Sequence, residues 1–385
     1  MAGPRPGGGR VVSARGRTGK VFSWGLAIVA LAFVAWVVPV RDRCWDVRAP
    51  ATTKVAVSRQ SDGCTLYLRT GDVHLDLASC AELRCEPGVA STLAHARPEV
   101  LVGLFALYAV GTLFWAARWR ALLAFAGVDM SVLEVWRIST EAQAGGILLP
   151  GGIGGDALRV ASVVGRAPRP GGNRAPAAIV VASVLLDRAI GLSIIALVAA
   201  GLGIAWGGVR DGALAFVLAA IPAGVVVGLA VLRRAPVDRI EWLVQGRLGR
   251  VVAPMLQYVR DPRAPRAIAR AVSLSVAVAM VQFAVVRGLV FALGAEPSAE
   301  KWVYVGGAMA FIVAAIPALP GGWGTADAAW IFFLGLAGLA GGTALAVSLL
   351  LRLFWYTSAI VGAVLYVARP RTTREGVEPA GQPPA

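Results

Sequence analysis

The stretch that decides the fold is LLPGGIGGDALRV, which runs from Leu148 to Val160. The apolar segment before the break, residues 139–149, is only about eleven residues long, too short for a helix to cross a bilayer core of about 30 Å at 1.5 Å per residue. The Pro-Gly-Gly sequence then ends that helix. A similar stretch, ALPGGWGTADAAW, returns at Ala318 to Trp330. The repeated LPGG-x-G phrase therefore predicts two helix breaks of the same kind.

The composition is that of a membrane protein. Hydrophobic residues make up 57% of the chain and charged residues 15%, with a mean hydropathy of +0.69, whereas a soluble domain carries about a quarter charged residues. Because lipid does not hydrogen-bond the backbone, the spanning elements should be helices. We expect an all-α polytopic protein with about six transmembrane helices, at about 21–40, 100–117, 177–206, 213–232, 269–293 and 343–367. The first run could also be a cleaved signal peptide, but no small-x-small site follows it, so we interpret it as a retained helix.

The basic residues predict the orientation. The formal net charge is +15, and the positive-inside rule explains it without nucleic-acid binding. We expect disordered cytoplasmic tails at 1–20 and 368–385, with both termini inside the plasma (inner) membrane. The residues assigned to the cytoplasm are Arg5, Arg10, Arg15, Arg17, Lys20, Arg118, Arg120, Arg159, Arg166, Arg169, Arg174, the nine arginines from Arg233 to Arg270, Arg369, Arg371 and Arg374.

Residues 41–97 form an extracytoplasmic insert that holds all four cysteines. Two disulfides in an oxidising compartment are the favoured interpretation. The alternating segment CTLYLRTGDVHLDLASC predicts a hairpin with a Thr-Gly-Asp turn, which favours Cys64–Cys80 and leaves Cys44–Cys85, although three connectivities are possible. A metal site with the two histidines is the rival interpretation, but the spacing matches no zinc pattern.

The two LPGG breaks lie on opposite sides of this topology. The first is entered from the cytoplasm and leads back to an arginine-rich loop, after a segment at 121–138 that we expect along the cytoplasmic interface. The second is entered from outside and returns there. Two oppositely oriented re-entrant hairpins indicate an inverted repeat, in which broken helices meet at a substrate site within residues 98–367.

Charges within the predicted spans need partners. Asp187, Arg188 and Arg352 lie near mid-depth, where a charge costs at least about 2.5–3.5 kcal/mol. Adjacent residues on a helix do not face each other, so we predict that Arg188 pairs with Asp156 and that Arg352 pairs with Asp327. The alternative is that these pairs have a purely structural role and only hold the hairpins in place. An acid in the first turn of a helix also stabilises the helix start. Arg287, near the external end of its span, is expected to snorkel to the interface.

The N-terminus of a helix suits an anionic group such as a phosphate, and glycines let a ligand come close to the backbone. A phosphate that carries an apolar group would be a lipid. We expect no catalytic residue, metal or cofactor. The candidate substrate-binding residues are Pro150, Gly151, Gly154, Gly155, Asp156, Arg159, Asp187, Arg188, Pro320, Gly321, Gly322, Gly324, Asp327 and Arg352.

Four segments, ARWRALLAFAGV, LLPGGIGGDALRV, SVLLDRAIGL and PALPGGWGTADAAW, resemble in this order the membrane domain of the lysylphosphatidylglycerol synthase family, also called flippase-like integral membrane proteins. The resemblance covers about residues 98–367. The resemblance implies a lipid-handling membrane domain. The family's first glycine turn, with the acid and the arginine that follow it, matches residues 150–159, and the family's acid-arginine pair matches Asp187 and Arg188. In the second turn Asp327 replaces the family's usual glutamate.

The expected function is binding and translocation of an anionic lipid or lipid-linked substrate between leaflets. The segment after the last span, ARPRTTREGVEPAGQPPA, is too short and Pro-rich to be the soluble aminoacyl-transfer domain of the fused synthases, so we expect a stand-alone membrane domain that is not an enzyme. One alternative is a non-catalytic membrane scaffold whose insert recruits an extracytoplasmic partner protein. A membrane transferase that uses the embedded carboxylates is the least supported.

Overall fold

A computed structural model describes residues 32, 38–46, 55–60, 63–68, 71–76, 83–125, 127–148, 153–164, 177–205, 212–234, 260–315 and 324–368. The strands in these ranges are β1 (Asp42–Asp46), β2 (Val55–Gln60), β3 (Gly63–Leu68), β4 (Gly71–Asp76) and β5 (Leu83–Glu86). The helices are α1 (Val89–Ala94), α2 (Pro98–Phe125), α3 (Val132–Leu148), α4 (Ile153–Val164), α5 (Ala177–Ala205), α6 (Gly212–Arg234), α7 (Ala264–Ala292), α8 (Lys301–Ala314), α9 (Thr325–Gly335) and α10 (Gly341–Val367).

Four of the described helices are long and apolar enough to cross a membrane: α2, α5, α7 and α10. They coincide with four of the predicted spans, so the multi-pass helical class is confirmed. Helix α6 coincides with a fifth predicted span and has 23 residues. The first predicted span, 21–40, lies almost wholly outside the described residues.

The helices on either side of each LPGG phrase pack against each other in pairs, α3 with α4 and α8 with α9. Small residues allow this close packing. A Cβ atom on Gly155 would lie 3.0 Å from the Ala142 carbonyl oxygen, and one on Gly306 would lie 2.7 Å from the Phe333 carbonyl oxygen. The two pairs of short helices expected from the sequence are therefore present, and their position in the membrane remains a prediction.

One segment differs from its predicted structure. Residues 121–125 continue α2 instead of lying in an interfacial segment, and α3 begins at Val132. A capping box marks that start: the Ser131 N–H donates to the Glu134 carboxylate at 2.7 Å, and the Glu134 N–H donates to Ser131 Oγ at 3.2 Å. Arg118 consequently lies about two turns inside a long helix, where it is 5% exposed. Its assignment to the cytoplasmic loop was wrong.

The insert contains a five-stranded antiparallel sheet in the order β4-β3-β2-β1-β5. The β3–β4 hairpin is confirmed, although Leu68 pairs with Gly71, so the glycine belongs to the strand and not to the turn. Cys44 on β1 lies directly opposite Cys85 on β5, a register compatible with the predicted Cys44–Cys85 disulfide. Cys80 lies outside the described residues, and with it the Cys64–Cys80 prediction.

The sheet is joined to the helical bundle through the start of α1. The Val89 and Ala90 N–H groups donate to the carbonyl oxygens of Pro39 and Val40, at 3.1 and 3.2 Å. The Asp42 carboxylate accepts the Gly88 N–H at 2.7 Å. These hydrogen bonds fix the chain entering the sheet beside the chain leaving it.

Helix α7 lies in the middle of the bundle. It packs along α2 and also contacts α5, α8 and α10. Glycines shape the α2–α7 contact: a Cβ atom on Gly111 would lie 2.8 Å from a methyl carbon of Val281. A cavity lies between the helices beside this contact.

Candidate functional site

The cavity has a volume of about 430 Å³ and lies among α2, α3, α4, α5, α7, α8 and α10. Apolar side chains such as Val278, Val281 and Leu351 form part of its wall. Polar side chains also line it, and six of them, called the polar cluster below, are Arg118, Gln143, Asp156, Arg159, Asp187 and Arg188. The cluster contains three guanidinium groups and two carboxylates, which leaves one net positive charge inside an apolar bundle.

Arg118 and Asp187 form the most buried ion pair of the polar cluster. Arg118 Nε and Nη2 donate to the two carboxylate oxygens of Asp187 at 2.6 and 3.0 Å. The side chains are 6% and 1% exposed, and Arg118 Nη1 also donates to Ser275 Oγ at 3.4 Å. Gly191 provides the space, since a Cβ atom there would lie 2.8 Å from Arg118 Nη1. Such a two-pronged contact fixes the position of the Asp187 carboxylate.

Asp156 and Arg188 form the pair that the sequence predicts. Asp156 lies in the first turn of α4, and its Oδ2 is 2.5 Å from Arg188 Nε. The prediction is therefore confirmed. This pair is more open than the Arg118–Asp187 pair, because its side chains are 22% and 38% exposed.

Arg159 lies between the two pairs but makes weaker contacts with their acids. Its Nη1 is 3.8 Å from both Asp156 and Asp187, beyond hydrogen-bond distance. Its Nη2 donates to Ser139 Oγ at 3.1 Å. Its guanidinium carbon lies 4.2 and 4.4 Å from the ring centroids of Trp115 and Trp119, which is cation–π distance.

The second predicted pair, Asp327–Arg352, is also confirmed, with Arg352 Nη2 2.7 Å from Asp327 Oδ1. Asp327 also accepts hydrogen bonds from Ser348 Oγ at 2.7 Å and from the Gly324 N–H at 3.0 Å. Gly324 has φ +77°, a conformation that favours glycine. Among the described residues that line the cavity, none belongs to this group.

The comparisons with known proteins agree with this architecture. Residues 88–362 match the family model described as the lysylphosphatidylglycerol synthase TM region. The chain belongs to this family. The matched region contains the whole polar cluster and both pairs of short helices, and the five-stranded sheet precedes it. No curated protein and no solved structure matches.

Within this family region the structure brings together only some of the predicted site residues. Gly155, Asp156, Arg159, Asp187 and Arg188 line the cavity. Gly154 is buried at the start of α4, whereas Gly324, Asp327 and Arg352 form the separate group described above. The turn residues Pro150, Gly151, Pro320, Gly321 and Gly322 lie outside the described residues.

Several residues of the site were not predicted from the family resemblance or from the charge pattern. Arg118 follows an apolar run, so the sequence alone predicts an arginine at the cytoplasmic end of a span. Trp115 and Trp119 have the helical spacing that puts both on one face of α2, next to Arg118, and this was the available signal. Gln143 is 8% exposed and lies in the cavity lining.

Arg287 illustrates a prediction that holds in part. It was expected to reach the external interface as a single charge. Its Nε instead lies 2.5 Å from Glu300 Oε1, in the segment that precedes α8, and its side chain is 34% exposed. The residue is therefore a partner in a half-exposed ion pair and not a member of the polar cluster.

Proposed function

We propose that this membrane protein binds an anionic lipid or lipid-linked substrate in the cavity and translocates it between leaflets of the plasma (inner) membrane. The observation that carries the proposal is the net positive charge of the polar cluster in a largely apolar cavity. A phosphate headgroup would neutralise that charge, and its acyl chains would remain against apolar side chains or lipid.

The paired short helices support a translocation mechanism. In our proposal they are re-entrant hairpins that enter from opposite faces, with both termini cytoplasmic, so that the cavity is reached in turn from each side. The glycine contacts between α3 and α4 bring the two helix backbones close enough for the hairpin to move as a unit. In general, a helix break is tolerated at membrane depth where protein or a wet cavity covers it.

We also propose that the chain is not an enzyme. Both carboxylates of the polar cluster face guanidinium groups, at 2.5 Å for Asp156 and 2.6 Å for Asp187. Carboxylates held in ion pairs are weak general bases, because the neighbouring positive charge favours their ionised form. This arrangement suits recognition of an anion better than group transfer.

The experiment that tests the proposal combines lipid analysis with transport. The protein is purified in mild detergent, co-purifying lipids are quantified by mass spectrometry, and translocation of fluorescent phospholipids is measured in proteoliposomes. We expect one anionic lipid class to be enriched over the bulk membrane and moved between leaflets. Both effects should be lost in a variant carrying Asp156→Asn and Arg188→Ala.

The matched control is Arg263→Gln, whose side chain is 80% exposed and far in sequence from the polar cluster. A wild-type lipid profile equal to bulk lipid, together with translocation no faster than in empty liposomes, would overturn the proposal. That outcome would favour the scaffold alternative, in which the sheet outside the matched family region recruits an extracytoplasmic partner. Formation of a covalently altered lipid would favour the transferase.

A further inference from the structure

We propose that Arg159 is the residue that contacts the anionic group of the ligand, while Arg118 and Arg188 hold the acids around it. This inference rests on the proposed function, since it assigns separate tasks to the three guanidinium groups of the polar cluster. It identifies Arg159, among the three positively charged residues, as the one that binds the anion.

The assignment follows first from the contacts of the three arginines. Arg118 has two of its nitrogens engaged by Asp187 and a third directed at Ser275. Arg188 has its Nε 2.5 Å from Asp156. Within the described ranges, Arg159 has no carboxylate within 3.5 Å, and its buried Nε has no hydrogen-bond partner.

Burial makes this incomplete pairing significant. Arg159 is 2% exposed, and a buried charge is expensive unless it is paired and hydrogen-bonded. The faces of Trp115 and Trp119 offset part of that cost through cation–π attraction. They supply no hydrogen-bond acceptor, however, so among the described residues the buried Nε–H still lacks the partner that an anion in the cavity would provide.

The tryptophans also orient the guanidinium. Trp119 is itself fixed, because its indole N–H donates to Ser183 Oγ at 3.2 Å. Two ring contacts and the Ser139 hydrogen bond restrict the guanidinium plane, and a restricted plane presents its N–H groups to a ligand in a fixed direction. A planar fork of this kind binds a phosphate or phosphodiester through two parallel hydrogen bonds, which an ammonium group does not reproduce.

The two carboxylates have a complementary task. At 3.8 Å from Arg159, Asp156 and Asp187 attract its charge without occupying its donors. Arg118 holds Asp187 in place from the other side, and Arg188 does the same for Asp156. The cluster therefore keeps one guanidinium charged, oriented and incompletely hydrogen-bonded in the absence of ligand. The chemical class that fits it is a phosphate-type anion, supplied by a lipid headgroup or by free phosphate.

The test is native mass spectrometry of delipidated protein titrated with dioleoyl phosphatidylglycerol and, separately, with inorganic phosphate. We expect Arg159→Gln to weaken phosphatidylglycerol binding by about ten- to a hundredfold, the range for a lost charged hydrogen bond. Arg159→Lys keeps the charge but loses the planar fork, so it should retain little of the affinity. Arg188→Gln should lose clearly less than Arg159→Gln, and Arg263→Gln should bind as the wild type does.

The outcomes separate this inference from the proposed function. If Arg188→Gln abolishes binding while Arg159→Gln binds normally, the assignment to Arg159 is overturned and the lipid-binding function stands. Wild-type affinity in Arg159→Lys would overturn the two-pronged geometry. If the wild type binds neither probe, the proposed function fails as well. If inorganic phosphate binds in a manner that depends on Arg159 and the lipid does not bind, Arg159 is still the anion-binding residue, but the ligand is a small anion and not a lipid. If Arg159→Gln aggregates on gel filtration, Arg159→Lys decides the result.

Discussion

Replacing Asp187 with asparagine should destabilise the protein strongly. The substitution keeps the shape of the side chain but removes the charge that faces Arg118 at 2.6 and 3.0 Å. With Asp187 neutral, the polar cluster holds three guanidinium groups and one carboxylate, and all three would compete for Asp156. The side chains of Arg118 and Asp187 are 6% and 1% exposed, so water does not replace the missing partner.

The magnitude follows from the burial of the pair. Removing one member of a buried ion pair costs about 3–5 kcal/mol, because it leaves the other charge uncompensated. Arg118 lies about two turns from the end of α2, so the cost of about 2.5–3.5 kcal/mol that insertion scales give for an arginine at the bilayer centre is an upper bound for its membrane contribution. We therefore expect a loss of about 3 kcal/mol in the free energy of unfolding, which is roughly a hundredfold in the folding equilibrium.

The assay is reversible unfolding in mixed micelles with increasing sodium dodecyl sulfate, followed by the intrinsic fluorescence of the 12 tryptophans. The double variant Arg118→Met, Asp187→Leu should recover most of the loss, since it removes both charges and leaves apolar groups. The control Asp261→Asn, in a pair whose Arg263 side chain is 80% exposed, should leave the unfolding midpoint unchanged. An Asp187→Asn variant as stable as the wild type would refute the reasoning. A double variant as unstable as the single one would show that lost packing, not an uncompensated charge, caused the effect.

Two further predictions concern packing and pH. Gly362→Ala should destabilise the protein by about 1–3 kcal/mol, because its Cβ atom would lie 2.1 Å from the Thr140 carbonyl oxygen, whereas Gly103→Ala, with nothing within 4 Å, should have no such effect in the same unfolding assay. The backbone N–H of Ser131, and then its hydroxyl, lower the pKa of Glu134 below its ordinary value of 4.5. Ionised Glu134 therefore stabilises the start of α3 above the pKa of the unfolded chain, and this contribution is lost as the pH falls through the lowered pKa. Melting temperatures measured from pH 7 to pH 3 should show a smaller acid-induced drop in Glu134→Gln than in the wild type, and an equal drop would contradict the capping box.

Most of the membrane architecture follows directly from the sequence. Long uncharged runs identify spanning helices because the bilayer imposes one length and one type of element. The LPGG phrases identify helix ends because proline and glycine both disfavour a helix interior. The two ion pairs were predicted for a similar reason: a charge inside lipid requires a counter-charge, and few were available at the right depth.

The remainder depended on tertiary contacts that the sequence does not specify. Arg118 follows an apolar run, which is where topology arginines are found, and only the continuation of α2 to Phe125 buries it. The cavity itself forms from glycine contacts between helices far apart in sequence, such as Gly111 with Val281. The sequence predicts only the β3–β4 hairpin of the five-stranded sheet. Strands β1 and β5 pair across some forty residues of intervening chain, and no strong turn signal marks that pairing.

The two acid-arginine pairs that follow the LPGG phrases have different surroundings. Asp327 accepts three hydrogen bonds, from Gly324, Ser348 and Arg352, and is 3% exposed, so it is already saturated and holds α9 against α10. Asp156 occupies the equivalent place after the first break, but it is 22% exposed, lines the cavity and has Arg159 at 3.8 Å. A carboxylate that is fully hydrogen-bonded fixes the start of its helix. A carboxylate whose neighbouring arginine is incompletely hydrogen-bonded leaves N–H donors of that arginine for a ligand. In the described part of the chain, the acid after the second phrase therefore lies between α9 and α10, whereas the acid after the first phrase lines the cavity beside an incompletely hydrogen-bonded guanidinium.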